Sequence, residues 1–127
     1  MIVVDTSALM EVILDQPMAD ACIAVLERAD DAAISAGTLA EALMVAGRRG
    51  LGRTMSALIR DLGAEIVPVT EAAARRASAA YGRWGRGIHP AGLNHGDCFA
   101  YGLAEERGCP LLFVGDGFSR TGIASCL

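Results

Sequence analysis

The sequence has 127 residues, a length suited to a single domain over 1–127, with 53% hydrophobic residues and a formal charge of −4. Its apolar runs, Met1–Val4, Ile34–Ala36 and Leu111–Val114, fall far short of the roughly 20 residues of a membrane span. Asp5 also cuts the first run before it can act as a secretory leader, so a cytoplasmic protein with no membrane partner is expected. All 11 basic residues are Arg, and the negative balance argues against a protein that wraps nucleic acid electrostatically; an acidic active site would itself add such charge. The four cysteines, Cys22, Cys98, Cys109 and Cys126, form no C-x-x-C pair, which points to free thiols rather than a zinc site. Cys22, Cys98 and Cys109 lie in apolar segments and are expected to be buried.

In chain order, Met1–Val4 reads as a buried strand. Thr6 or Ser7 can cap a helix over about 7–15, and Pro17 suits the start of a second over about 17–29. Ala32–Ala36 reads as the second strand. Thr38 can then cap a helix over about 39–48, with Gly47 and Gly50 as stops. A helix over about 52–62 ends on Gly63, and Ala64–Val67 forms a third strand. Thr70 caps a helix reaching about Trp84, with Ala73, Ala77, Tyr81 and Trp84 on one face. A Gly- and Pro-bearing loop follows over about 85–94, then a helix over about 95–107 stopped by Gly108 and Pro110. Leu111–Val114 is the last clear strand, with a short helical turn after Phe118. Alternating strands and helices predict an α/β fold, an α/β/α sandwich around a central parallel sheet.

Four carboxylates fall along one edge of that sheet. Asp5 ends the first strand, Glu41 sits in the first turn after the second, Asp97 begins the 95–107 helix, and Asp116 follows the last strand. Open parallel sheets bind ligands outside the carboxyl ends of their strands. Glu41 lies within Leu39-Ala-Glu-Ala-Leu-Met-Val45, and Asp97 precedes Cys-Phe-Ala-Tyr101, so both are embedded in apolar sequence. Convergent carboxylates in such surroundings repel one another and resist ionisation. A hard divalent cation relieves both effects, lowers the pKa of bound water and stabilises a phosphodiester during displacement. Taken singly, each carboxylate is equally well explained as a cap or turn residue; the joint pattern carries the signal.

Other candidates are weaker. His89 and His95 lack partners at ligand spacing and read as loop or surface residues. Ser7 has no visible His–Asp set, which leaves Thr6 and Ser7 as supports for the acidic residues. No phosphate-cradling glycine motif is present. Arg48, Arg49 and Arg53 form one group suited to RNA phosphate, and Arg83 with Arg86 flank Trp84 in another. Trp84 falls on an apolar helix face and reads as core rather than as a base-stacking platform.

Three segments resemble the VapC-type PIN domains of bacterial toxin–antitoxin pairs: Ile2-Val-Val-Asp-Thr-Ser-Ala-Leu9, His89-Pro-Ala-Gly-Leu-Asn-His-Gly-Asp-Cys-Phe-Ala-Tyr101 and Leu111-Leu-Phe-Val-Gly-Asp-Gly-Phe-Ser-Arg-Thr-Gly-Ile123. The resemblance spans nearly the whole chain, and its middle segment is the most specific. It implies a five-stranded PIN fold, an acidic site for Mg²⁺ with Mn²⁺ as the alternative, and endonucleolytic cleavage of RNA. It also implies a homodimer and an inhibiting antitoxin partner. Carried over, Asp5 and Asp97 match the metal ligands and Glu41 the second acidic position. Gly117 stands where an acidic residue is usual before Phe118, and Gly122 replaces a later Asp, so either the adjacent Asp116 substitutes for the fourth carboxylate or the metal site is weakened. The competing reading is a degenerate PIN domain that only binds antitoxin or RNA. A different acidic-site phosphatase or DNA nuclease ranks third.

Overall fold

The computed structural model describes residues 1–127. Four parallel strands, β1 (Ile2–Val4), β2 (Ala32–Ser35), β3 (Glu65–Val67) and β4 (Leu111–Leu112), lie in the order β3-β2-β1-β4. Six helices surround them: α1 (Thr6–Ile13), α2 (Ala19–Arg28), α3 (Ala36–Arg48), α4 (Gly52–Leu62), α5 (Glu71–Trp84) and α6 (His95–Arg107). The chain builds outward from β1 to β3, then returns through α5 and α6 to place β4 on the other side of β1. The strand order therefore reverses at β1, and the crevice at its carboxyl end is where such sheets bind ligands. No helix is long and apolar enough to cross a membrane.

Both faces of β1, β2 and β4 are buried, which is why these strands read as apolar runs, whereas Glu65 and Ile66 of the edge strand β3 are exposed. On one face Val3, Ala33, Leu111 and Phe113 pack with Ala77 and Ala80 of α5 and Cys98, Tyr101 and Leu103 of α6. On the other, Ile2, Val4, Ile34 and Leu112 pack with Leu9, Cys22, Ala42, Ala46, Met55 and Ile59 from α1 to α4. Fully buried side chains such as Val3, Leu9 and Ile34 each contribute about 1.5–3 kcal/mol by leaving water.

Several expectations are corrected. The α1 cap is Asp5, whose side chain accepts from Ser7 N–H, rather than Thr6 or Ser7. Pro17 lies in the turn before α2, which starts at Ala19. Ser35, not Thr38, caps α3, so that helix begins three residues early and Glu41 falls in its second turn, not its first. The inner face of α5 is Ala73, Ala77, Ala80 and Trp84, and Tyr81 is 37% exposed at its border. Cys109 is half-buried, whereas Cys22 and Cys98 are buried, and all four thiols are free. β4 stops at Leu112 because the chain bends away: the Val114 N–H goes to Ser7 Oγ and Gly115 adopts φ +115. In place of the expected fifth strand there is one isolated bridge, Leu111 to Ser125. It is closed by Leu111 N–H to Ala124 O and Cys126 N–H to Leu111 O. The ends of α4 at Gly63 and of α6 at Gly108 are as expected, both glycines being left-handed.

Candidate active site

Asp5 is the residue at which β1 becomes α1. Its Oδ2 accepts from the Ser7 N–H at 2.9 Å and the Ser7 hydroxyl at 2.6 Å. Ser7 Oγ in turn accepts from Val114 N–H at 3.1 Å, tying this carboxylate to the chain leaving β4. Asp5 Oδ1 has no hydrogen-bond partner, although the residue is only 2% exposed. A carboxylate oxygen so placed keeps its desolvation cost unless something of opposite charge meets it. Burial, with smaller help from the charges of Asp97 and Glu41, pushes the Asp5 carboxyl up to about 7 against the pull of the two Ser7 bonds.

Glu41 reaches the same place from α3. Its Oε1 accepts from the Thr6 hydroxyl at 2.6 Å, so the two residues after Asp5, Thr6 and Ser7, each hold one acidic side chain. Asp97 arrives at the third position of α6, where it forms a capping box with Asn94. Asp97 Oδ2 accepts from Asn94 N–H at 2.9 Å, and Asn94 Oδ1 accepts from Asp97 N–H at 2.8 Å. Burial raises the Asp97 carboxyl above the usual range, the Asn94 bond lowers it, Glu41 raises it and the Arg86 guanidinium draws it back. Asp5, Glu41 and Asp97 therefore act on one another electrostatically. Asp116 does not join them: it is exposed, and its charge is not among those acting on Asp5 or Asp97.

No three His, Cys, Asp or Glu side chains are drawn tightly enough to enclose a metal by protein atoms alone. A cation that keeps most of its water needs only one or two carboxylates directly. The unpartnered Asp5 Oδ1 and the all-oxygen donor set fit such an ion. The histidines stand apart. His89 Nδ1 accepts from Ala91 N–H at 3.0 Å inside its own turn, and His95 lies edge-on to Phe99.

The arginines divide. Arg83 pairs with Glu105 and stacks its guanidinium over Trp84. Trp84 itself packs against the core and donates from Nε1 to Tyr101 Oη at 3.0 Å, as the core reading expects. Arg48, Arg49, Arg53 and Arg86 are exposed and have no carboxylate partner. Arg48 lies about 10 Å along α3 from Glu41, at 1.5 Å per residue, so the Arg48–Arg53 group sits away from the acidic edge. Arg86 is held beside it by backbone bonds between Trp84, Arg86 and Leu93.

Two contributors went unread in the sequence. Asn94 is the α6 cap, and its spacing to Asp97 is the pattern that could have shown it. Gly96 lies directly beneath the Glu41 carboxylate, a contact between helices that no local pattern signals.

The family model described as PIN domain matches residues 2–124. Ribonuclease VapC30 of Mycobacterium tuberculosis is 42% identical over 127 residues, covering 97% of this chain and 96% of its own. The crystal structure of Mycobacterium tuberculosis VapC20, described as a sarcin–ricin loop cleaving toxin, superposes with a TM-score of 0.78 at 16% identity, covering 98% of this chain and 97% of that one. A toxin–antitoxin complex from Klebsiella pneumoniae contains a chain of the same fold, with a TM-score of 0.64 at 17% identity and coverage of 87% and 83%. With the family model matched across the fold and a VapC ribonuclease aligned nearly end to end, this chain belongs to the PIN-domain family.

Proposed function

We propose that this chain is a divalent-metal-dependent endoribonuclease, the toxin of a toxin–antitoxin pair. The observation that carries the reading is the buried, unpartnered Oδ1 of Asp5 in electrostatic contact with Glu41 and Asp97. Its relation to a protein named a ribonuclease supplies the substrate class. Asp5 and Asp97 would hold the ion, Mg²⁺ with Mn²⁺ as the alternative. When bound, it supplies activation of water and neutralises charge on the phosphodiester under attack. Glu41, with Oε1 held by Thr6, keeps Oε2 to orient the attacking water. Ser7 fixes the Asp5 carboxylate through Oδ2 and leaves Oδ1 for the ion. Asp116 is exposed and takes no part in this cluster, and Gly117 brings no carboxylate in its place.

Arg86 is the phosphate contact nearest the acidic group, and Arg48, Arg49 and Arg53 extend the path of the RNA. Single-stranded or looped RNA suits the site, since the deep major groove of an A-form helix hides its bases. An antitoxin protein and a second copy of the chain complete the set of partners. A structural relative captured in a toxin–antitoxin complex supports the first, and analogy with the PIN-domain family supports the second.

The test is RNA cleavage by purified, antitoxin-free protein in Mg²⁺ or Mn²⁺ against an EDTA control. Cleavage confined to the metal-containing reactions is expected. Equal cleavage in EDTA would remove the metal from the account, and RNA binding without turnover would identify a degenerate domain.

A further inference from the structure

A Cβ built at position 96 would overlap the Glu41 carboxylate outright at Oε2 and Cδ, and would stand 2.7 Å from Oε1. Gly96 is not in a left-handed conformation. Its backbone would accept any residue, so space alone demands glycine here. The contact is part of a reciprocal packing of two helix starts. A Cβ at Gly37, near the start of α3, would meet the Phe99 ring of α6 at 2.6 Å. Gly96, in the first turn of α6, receives Glu41 of α3. One contact is apolar and sets how closely the helices approach. The other places a charge.

On its far side the Glu41 carboxylate is held by the Thr6 hydroxyl at 2.6 Å. Thr6 and Gly96 thus grip it from β1–α1 and from α6, the elements that carry Asp5 and Asp97. The charge of Glu41 raises both of those carboxyls, so it lies close to each.

We infer that Gly96 is a positioning residue for RNA cleavage: its missing side chain is the seat that lets Glu41 enter the acidic cluster between Asp5 and Asp97. The inference rests on the proposed metal-dependent ribonuclease reading and adds a residue that does not itself touch ion or RNA. A methyl group at 96 would leave the carboxylate no room between position 96 and Thr6, displacing it from its seat and breaking its bond to Thr6, while leaving both metal-binding aspartates in the chain. Misplacement on this scale costs on the order of a hundred-fold in rate.

A double-mutant cycle on the full chain tests it, using Gly96→Ala, Glu41→Ala and the two together. Three quantities are measured: RNA cleavage, Mn²⁺ affinity by calorimetry and thermal unfolding in EDTA. Gly96→Ala should lower cleavage by about the same factor as Glu41→Ala, and the double variant should fall no further, because both remove one placed carboxylate. Mn²⁺ affinity should show the same lack of additivity. In EDTA, Gly96→Ala should lower Tm while Glu41 is present. It should raise Tm in the Glu41→Ala background, where alanine is simply the better helix former. A purely structural glycine would lower Tm in both backgrounds and multiply its cleavage loss onto that of Glu41→Ala, overturning the inference. Wild-type cleavage and Mn²⁺ affinity in Gly96→Ala would also overturn it. If Gly96→Ala fails to fold, recovery of folding in the double variant supports the seat and failure of both refutes it. Full activity in Glu41→Ala would remove the role of Glu41 and leave Gly96 with packing alone. Absence of metal-dependent cleavage in the wild type would instead defeat the functional reading, while the Tm cycle still decides the seat.

Discussion

Replacing Asp5 with Asn should stabilise the metal-free protein at alkaline pH while abolishing its response to metal. The Asp5 carboxyl rises from 3.8 to about 7 on folding, chiefly through burial. About three units at 1.36 kcal/mol each make the ionised side chain cost the folded state about 4 kcal/mol. The sign follows from proton counts. Below the unfolded value of 3.8 the carboxyl is protonated in both states and costs nothing. Between 3.8 and about 7 the folded chain keeps a proton that the unfolded chain has lost, so stability falls as pH rises. Above about 7 the whole penalty is present. Asn removes the charge and can still accept from Ser7, but it leaves a buried NH₂ without a partner, which costs about 1–3 kcal/mol. The net gain is roughly 1–3 kcal/mol near pH 8, or several degrees of Tm; near pH 4, where the Asp5 charge costs almost nothing, only the unpartnered NH₂ remains and the variant should be the less stable by about 1–3 kcal/mol. Millimolar Mg²⁺ should raise the Tm of the wild type near pH 8 and leave Asp5→Asn almost unmoved. Thermal unfolding across this pH range, with EDTA or Mg²⁺, measures both effects. If Asp5→Asn gains nothing over wild type near pH 8 relative to pH 4, the buried charge is already compensated by protein groups and the argument for a cation at Oδ1 fails.

Asp97→Asn should lower metal-dependent cleavage by on the order of a hundred-fold with Tm nearly unchanged, since Asn can still accept from Asn94 N–H in the capping box; full activity would eliminate Asp97 as a ligand. Gly117→Asp should raise Mg²⁺ affinity and cleavage together. Its backbone, at φ −59, needs no glycine, but a Cβ there stands 3.1 Å from the Ala91 carbonyl oxygen, so a modest Tm loss is expected. Calorimetry and cleavage that stay at wild-type values would show that 117 is not a missing ligand position. Arg86→Gln should weaken RNA binding across sequences and reduce the salt slope of log K by about one. A slope unchanged after neutralising Arg48, Arg49, Arg53 and Arg86 together would place the RNA path elsewhere.

The sequence revealed the elements well where one local signal dominates. Gly63 and Gly108 stop α4 and α6 because both turns need the left-handed region, and Thr70 caps α5 with nothing competing nearby. It misled where two capping residues lay close together. Ser35 and Thr38 are both competent caps, but Ser35 ends a buried strand, and capping there leaves Thr38 fully buried within α3. The choice moved Glu41 by three positions, from the first turn of the helix into the second. Asp5 likewise serves as cap and candidate ligand at once, a double use that spacing does not reveal. The shortening of β4 depends on the bond from Val114 to Ser7, which joins residues 107 positions apart. In the site, Asp5 and Asp97 sit at the strand end and helix start suggested, and Glu41 joins them from the second turn of α3 rather than the first. Asp116 does not, because the turn through Gly115 carries it to the surface. The proximity of Arg86 to Asp97 and the seat at Gly96 are products of tertiary packing, with no periodicity to announce them.

The central claim is that a divalent cation is held in the cluster of Asp5, Glu41 and Asp97, and anomalous diffraction from crystals of the RNA-free protein grown in Mn²⁺ tests it most directly. The account predicts one strong peak at coordination distance, about 2.0–2.2 Å, from Asp5 Oδ1, with Asp97 on its other side and water filling the remaining positions. A clean map at saturating Mn²⁺, or a peak away from Asp5 in crystals of cleavage-competent protein, would contradict it.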